Sequence, residues 1–149
     1  MRTLSPEPIL SAASVRLGLA GMAKDDAIRY CGQLLVDAGA ARPEYTDGML
    51  AREQQISTFL GEGVAIPHGT NEARAYIVRA ALGFVQFPGG IDWNGKTAYV
   101  LIPIASATDE HVSILASLAE VLMDSDSAER LRTTDSVDEV LALLAPSED

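Results

Sequence analysis

The sequence contains one cysteine, Cys31, so no internal disulfide can form. Basic residues are few and scattered: 11 Lys and Arg stand against 21 Asp and Glu, for a formal net charge of −10. Nucleic-acid binding needs a basic patch that displaces counterions from phosphates, so that class of function is excluded. The acid excess also opposes binding to anionic membrane surfaces. It either steers a basic partner or only keeps the protein in solution. No uninterrupted apolar run approaches the roughly 20 residues needed to span a bilayer. The N-terminus lacks the basic stretch followed by an apolar run that marks a signal peptide. These absences predict a soluble, cytoplasmic protein. The glycine-rich nucleotide signatures GxGxxG and GxxxxGKS/T are missing, as is the GxSxG nucleophile elbow. Repeats, low-complexity tracts and interior linkers are also lacking.

What is present is an ordinary globular balance, 48% hydrophobic and 21% charged over 149 residues. It predicts a single domain over residues 1–149 with an ordered core from about 8 to 145. Met1–Glu7 and Pro146–Asp149 are the expected loose ends, and Met1 points to a free-standing protein.

Hydrophobic periodicity places the elements. Ala27, Ile28, Cys31, Leu34, Leu35 and Ala38 recur at helical spacing and predict a helix over Lys24–Ala38, stopped by Gly39 and without a good N-cap. A second helix is expected from Pro43 to Gln54, with Tyr45 and Met49 inward and Arg52 near the same edge. Val15–Leu17, Val64–Ile66, Ile77–Phe87 and Thr97–Ala105 read as strands, the last covered on both faces and losing regular pairing near Pro103. Pro88-Gly89-Gly90 and Asn94-Gly95 are turn signals between the last two, which suits an antiparallel pair. Glu110–Met123 carries the clearest amphipathic helix. A final helix starts at Ser136, with Glu139 three residues later as a capping box. Interleaved helices and strands predict an α/β fold: one mixed sheet flanked by helices on both faces.

Only two histidines occur, His68 and His111. His68 stands between Pro67 and Gly69, just after a short apolar segment. Proline removes a donor and fixes φ, and glycine lets another molecule approach closely. A histidine on such a turn is placed for surface chemistry, or is structural or merely exposed. His111 falls in the first turn of the Glu110–Met123 helix, where free backbone N–H groups and the dipole favour an anion such as phosphate. Its side chain faces either a site or solvent. Neutral imidazole, with an ordinary pKa of about 6.5, is a good phosphoryl acceptor. The transferring group then needs donors and positive charge around its oxygens. Arg52 and His111 are candidates, although a helix arginine is by default solvated. Cys31 falls in the apolar stripe of its helix and reads as core. Zinc would need a third ligand near the histidines, and none stands out.

The segment Glu62-Gly-Val-Ala-Ile-Pro-His-Gly-Thr70 resembles the phosphorylation-site segment of the mannitol/fructose class of enzyme IIA of the bacterial sugar phosphotransferase system. Asp26-Ala-Ile-Arg-Tyr30, Pro43-Glu-Tyr45, Met49-Leu-Ala-Arg-Glu53, Phe59-Leu-Gly-Glu62, Glu110-His111 with Leu115, Leu118 and Ala119, and Ser136-Val-Asp-Glu-Val-Leu141 are similar to family patterns in the same order. The likeness runs from Leu10 to Ala145. It implies that His68 accepts a phosphoryl group on Nε2 from phospho-HPr and passes it to a cysteine of enzyme IIB, which serves the membrane enzyme IIC. It implies that His111 is the second active-site histidine, that Arg52 lies near the site, and that Glu62 is an acidic residue beside it. It implies no cofactor and no metal. Phe59-Leu-Gly-Glu62 with Pro67-His-Gly-Thr70 looks closer to the mannitol branch than to the fructose branch. Two alternatives stay open: a phosphorylation-dependent regulator of the nitrogen-related enzyme IIA kind, and a binding module that has lost transfer.

Overall fold

The structure is a computed structural model that describes residues 10–106 and 120–144. Its centre is a five-stranded sheet. In chain order the elements are β1 (Val15–Arg16), α1 (Lys24–Asp37), α2 (Tyr45–Gln55), β2 (Phe59–Gly61), β3 (Val64–Ala65), β4 (Ala81–Leu82), β5 (Phe84–Trp93), β6 (Lys96–Leu101), β7 (Ile104–Ala105), α3 (Ser125–Thr133) and α4 (Val137–Leu144). The strand order is β1-β5-β6-β3-β2, and β4 pairs with β7 in a separate ribbon. β1 with β5 and β3 with β6 are parallel, whereas β5 with β6 and β2 with β3 are antiparallel. The sheet is therefore mixed, as expected.

Alternate side chains of the central strands go to opposite faces. Ala65, Val85, Phe87, Trp93 and Leu101 join the buried stripes of α1 and α2. Val64, Phe84, Val100 and Ile102 join Leu131 of α3 and Val140 and Leu144 of α4. Both faces of β3, of the first half of β5 and of the second half of β6 are thus covered, which explains the apolar run at Tyr99–Ile102. One polar side chain enters the second face. Buried Gln86 donates from Nε2 to the Leu131 and Thr134 carbonyls at 3.0 and 2.9 Å, and its Oε1 accepts from the Gly18 amide at 3.1 Å. Each of these bonds would leave a buried group unsatisfied if broken.

The two helices of the N-terminal half form where their spacing predicts. α1 has Ala23 at its N-cap without a side-chain bond, and Gly39 follows its end with φ +76°. α2 begins two residues later than expected, because Pro43 lies in a preceding turn that is closed by the Thr46 N–H on the Pro43 carbonyl. Tyr45 and Met49 are buried.

Three expectations need correction and a fourth is refined. The stretch Ile77–Phe87 is not one strand. Ile77 bridges Ala41, and the amides of Val78 and Arg79 bond the Ala40 carbonyl, so this segment closes the end of α1 before the ladder begins at Ala81. Pro88-Gly89-Gly90 is not a turn either, since it lies within β5. There residues 87–90 oppose the single residue Tyr99 as a bulge, and the chain reverses only at Asn94-Gly95. Thr97–Ala105 breaks at Ile102-Pro103 into β6 and β7, where Pro103 has no amide to donate, as foreseen. The capping box at Ser136 is half formed. Ser136 Oγ accepts the Glu139 amide at 3.1 Å, but the Glu139 carboxylate accepts from the Thr134 hydroxyl, and that same hydroxyl takes the Ser136 amide.

The strand β2 and the helix α3 were not foreseen. α3 buries only Ala128 and Leu131, too sparse a stripe to read as periodic. Of the Glu110–Met123 helix, residues 120–123 are helical and residues 107–119, His111 among them, lie outside the described residues. No helix among the described residues is long and apolar enough to cross a membrane.

Candidate functional site

His68 follows the end of β3 by three residues. The chain there is tied on both sides. The Ile66 amide donates to the Thr58 carbonyl, and the Ile104 amide donates to the Pro67 carbonyl at 2.9 Å. The Gly69 amide donates to the hydroxyl of Tyr45 at 2.9 Å, which in turn donates to the Ile104 carbonyl at 2.8 Å. The ring of His68 folds back so that Nδ1 lies 2.8 Å from the Ile66 carbonyl. A carbonyl oxygen only accepts, so Nδ1 carries the proton of the neutral ring. Nε2 is then the nitrogen with the lone pair, and it is the nucleophilic atom.

His68 lines a cleft of about 400 Å³ with Tyr45, Arg52 and Gln55 of α2, the segment Gly69–Glu72, Arg74 and Ser106. Glu72 is its one carboxylate among the described residues, against two arginines. The molecule is acidic as a whole, so this cleft is a local reversal of sign. Half-buried Arg52 is held over the end of its own helix, its Nη1 donating to the Ile56 carbonyl at 2.6 Å. Tyr45 is buried, and that burial pushes its phenol pKa up, while the Gly69 amide and the Arg74 charge pull it down; the net is upward. The phenol therefore stays neutral throughout the physiological range.

The residue after Arg52 has a different duty. Glu53 Oε1 accepts from the Thr58 amide at 2.9 Å and the Thr58 hydroxyl at 2.6 Å. Oε2 accepts from Trp93 Nε1 at 3.0 Å and pairs with Lys24 at 3.1 Å. Burial works to raise its pKa, but the bonds from Thr58, Ser57 and Lys24 outweigh it, and the carboxyl is held below the usual range. Glu53 thus anchors Thr58, whose carbonyl receives the Ile66 amide just before the histidine.

Of the residues expected near the site, the structure brings His68 and Arg52 together and does not bring Glu62 to them. Glu62-Gly63 forms the two-residue turn between β2 and β3, with φ of +54° and +75°. Positive φ at both positions is the backbone of a type I′ hairpin. Glu62 lies six residues before His68 along an extended segment, a reach of up to about 20 Å. It lines a second cleft with Tyr99 and Arg132, and Arg132 Nη1 bonds its carbonyl at 2.8 Å and its carboxylate at 3.4 Å. His111 lies outside the described residues. Arg74, which lines the His68 cleft, was not read from the sequence. It stands in a short 3-10 turn, Glu72–Tyr76, that carries no periodic signal. Cys31 is fully buried, and burial drives its thiol strongly upward, so it holds no thiolate. No group of three or more metal-ligating side chains occurs among the described residues.

Comparison with known proteins places this cleft in a family. Residues 8–146 match the model of the EIIA 2 domain of the phosphoenolpyruvate-dependent sugar phosphotransferase system. The multiphosphoryl transfer protein of Escherichia coli O157:H7 is 44% identical over 136 residues, covering 91% of this chain and 36% of that protein. The mannitol-specific EIICBA component of Escherichia coli K12 is 41% identical over 139 residues, covering 91% of this chain and 22% of that protein. The chain therefore spans about a third or less of the length of these curated relatives. Among solved structures, the complex of enzyme IIA(Mtl) with phosphorylated enzyme IIB(Mtl) from Escherichia coli matches with a TM-score of 0.85 and 39% identity, covering 92% of this chain and 97% of the matched one. The chain therefore belongs to the EIIA 2 family of the phosphoenolpyruvate-dependent sugar phosphotransferase system and is a phosphotransferase component.

Proposed function

We propose that this chain acts as one carrier domain that accepts a phosphoryl group on Nε2 of His68 from phospho-HPr and passes it to a cysteine of an enzyme IIB. The observation that carries the reading is the bond from Nδ1 to the Ile66 carbonyl, which keeps the proton on Nδ1 and the lone pair on Nε2. In the first step Nε2 attacks phosphorus in line, the N–P bond of the donor histidine breaks, and that histidine leaves with the electron pair. Nδ1 keeps its proton, and its bond to Ile66 strengthens as the ring becomes more positive. In the second step the thiolate of enzyme IIB attacks phosphorus, and the Nε2–P bond breaks to restore the neutral ring. Arg52 and Arg74, which both line the cleft, stabilise the equatorial oxygens. His111 is assigned the same duty from its match to the second family histidine. Glu62 is assigned to the hairpin and not to the chemistry. No cofactor or metal takes part.

The transported substrate is proposed to be mannitol and the compartment the cytoplasm. The names of the mannitol-specific relatives and of the matched IIA mannitol structures support mannitol and a transport role, whereas the multiphosphoryl transfer proteins carry no sugar in their name. The acidic surface suits encounter with a basic donor face.

The test mixes the protein with phosphoenolpyruvate, enzyme I and HPr, and measures intact mass. One acid-labile phosphoryl is expected on the wild type and none on His68→Ala. A chase with enzyme IIB of the mannitol and fructose types then reads the branch. An unlabelled wild type beside a demonstrably active HPr overturns the proposal.

A further inference from the structure

The hydrogen bonds around His68 form a closed ring. The Ile104 amide holds the Pro67 carbonyl, the Ile104 carbonyl holds the Tyr45 hydroxyl, and that hydroxyl holds the Gly69 amide. Pro67, His68 and Gly69 complete the circle through the chain itself. Both residues that flank the histidine are therefore tied to one residue of β7, directly on one side and through a phenol on the other. Tyr45 is the only side chain in the ring. Its single proton goes to Ile104, so its oxygen must accept from Gly69, and the direction of each bond is fixed. The ring also fits sterically: a Cβ at Gly69 would lie 2.5 Å from Tyr45 Cε1 and 3.0 Å from Cζ, so the main chain rests directly on the phenol.

We propose that Tyr45 is a positioning residue for phosphoryl transfer, its hydroxyl clamping Gly69 to Ile104 so that the His68 ring keeps Nδ1 on the Ile66 carbonyl and Nε2 toward the cleft. The proposal rests on His68 being the acceptor. The geometric reason is that the imidazole reaches Ile66 only while the chain at His68 keeps its turn. Pro67 fixes φ on one side, and the Gly69–Tyr45 bond fixes the amide on the other. In-line transfer is sensitive to such placement, since an error of about 1 Å can cost about a hundredfold in rate. The phenol, kept neutral by burial, serves as the same donor and acceptor at every working pH. Tyr45 does not itself touch phosphorus in this scheme.

The test is Tyr45→Phe, which removes one oxygen and keeps the ring. Three readouts apply. Nitrogen-15 spectra of His68 report the tautomer, amide exchange reports the clamp, and transfer is timed from phospho-HPr and from phosphoramidate, a small donor that needs no docked partner. The expected result is faster exchange at Gly69, a mixed Nδ1–H and Nε2–H population, and kcat lowered about tenfold or more with both donors while KM for phospho-HPr stays within about twofold. An unchanged tautomer with unchanged transfer, even beside a lower melting temperature, overturns the proposal and leaves Tyr45 a packing residue. If neither donor labels the wild type, the carrier function fails, but the tautomer and exchange readouts still decide whether Tyr45 orients the ring. If Tyr45→Phe does not fold, the Gly69 amide of the wild type decides: protection comparable to the sheet supports the clamp, and coil-like exchange overturns it.

Discussion

The two ends of β3 are separated by a few residues and are built differently. At the hairpin end, Glu62 and Gly63 turn the chain with positive φ, and the carboxylate is exposed and paired with Arg132. At the other end, Ile66 is bonded to the Thr58 carbonyl, and Thr58, Pro67 and Gly69 have main-chain groups committed to partners in α2 and β7; the histidine is half-buried beside two arginines. The difference teaches where precision is placed. The hairpin end needs only to reverse the chain, and an exposed ion pair there contributes about 0–1 kcal/mol. The histidine end must hold one ring nitrogen still, and it does so with buried bonds whose loss leaves polar groups unsatisfied.

The contrast can be broken by mutation. The largest effect is expected for His68→Ala, which should abolish phosphoryl labelling in intact-mass measurements while the fold persists. Next, Leu131→Ala should empty a fully buried site on the α3 and α4 face of the sheet and cost about 2–5 kcal/mol in urea melts. Labelling at low temperature should survive it, because α1 and α2 hold the other face of the sheet. Glu53→Gln should loosen Thr58 at the histidine end and cost about 1–3 kcal/mol near pH 7.

The Glu53 prediction carries a pH signature. Its folded pKa lies below its unfolded value, so its contribution is present above the unfolded carboxylate range, near pH 4.3. That contribution is lost as pH falls through the lower folded value. Melts of wild type and Glu53→Gln should therefore converge as pH drops below about 4, and a gap that widens instead would show that the carboxyl is not held ionised. Smallest of all, Glu62→Gln should leave transfer within about twofold and stability within about 0.5 kcal/mol. A loss of transfer approaching that of His68→Ala would return Glu62 to the chemistry and erase the contrast.

The sequence alone determined the helices α1 and α2, the inward faces of Tyr45 and Met49, the doubly buried strand β6 and the Pro-His-Gly turn. Each of these is local: periodicity is set by backbone geometry, and proline and glycine act on their own dihedrals. Tertiary structure alone decided the rest. One contiguous segment from Glu62 to His68 reads as a single motif, yet an extended strand carries its two ends into separate clefts. The split of Ile77–Phe87 depends on where α1 ends, and the half-formed cap at Ser136 depends on a competing threonine. The meeting of Arg74 with Arg52 depends on a turn without periodicity. Above all, Tyr45 was legible as buried but its hydroxyl was not legible as a clamp. Burial is a property of one residue's apolar face, whereas a hydrogen bond needs partners 24 and 59 residues away that only the folded chain brings within reach.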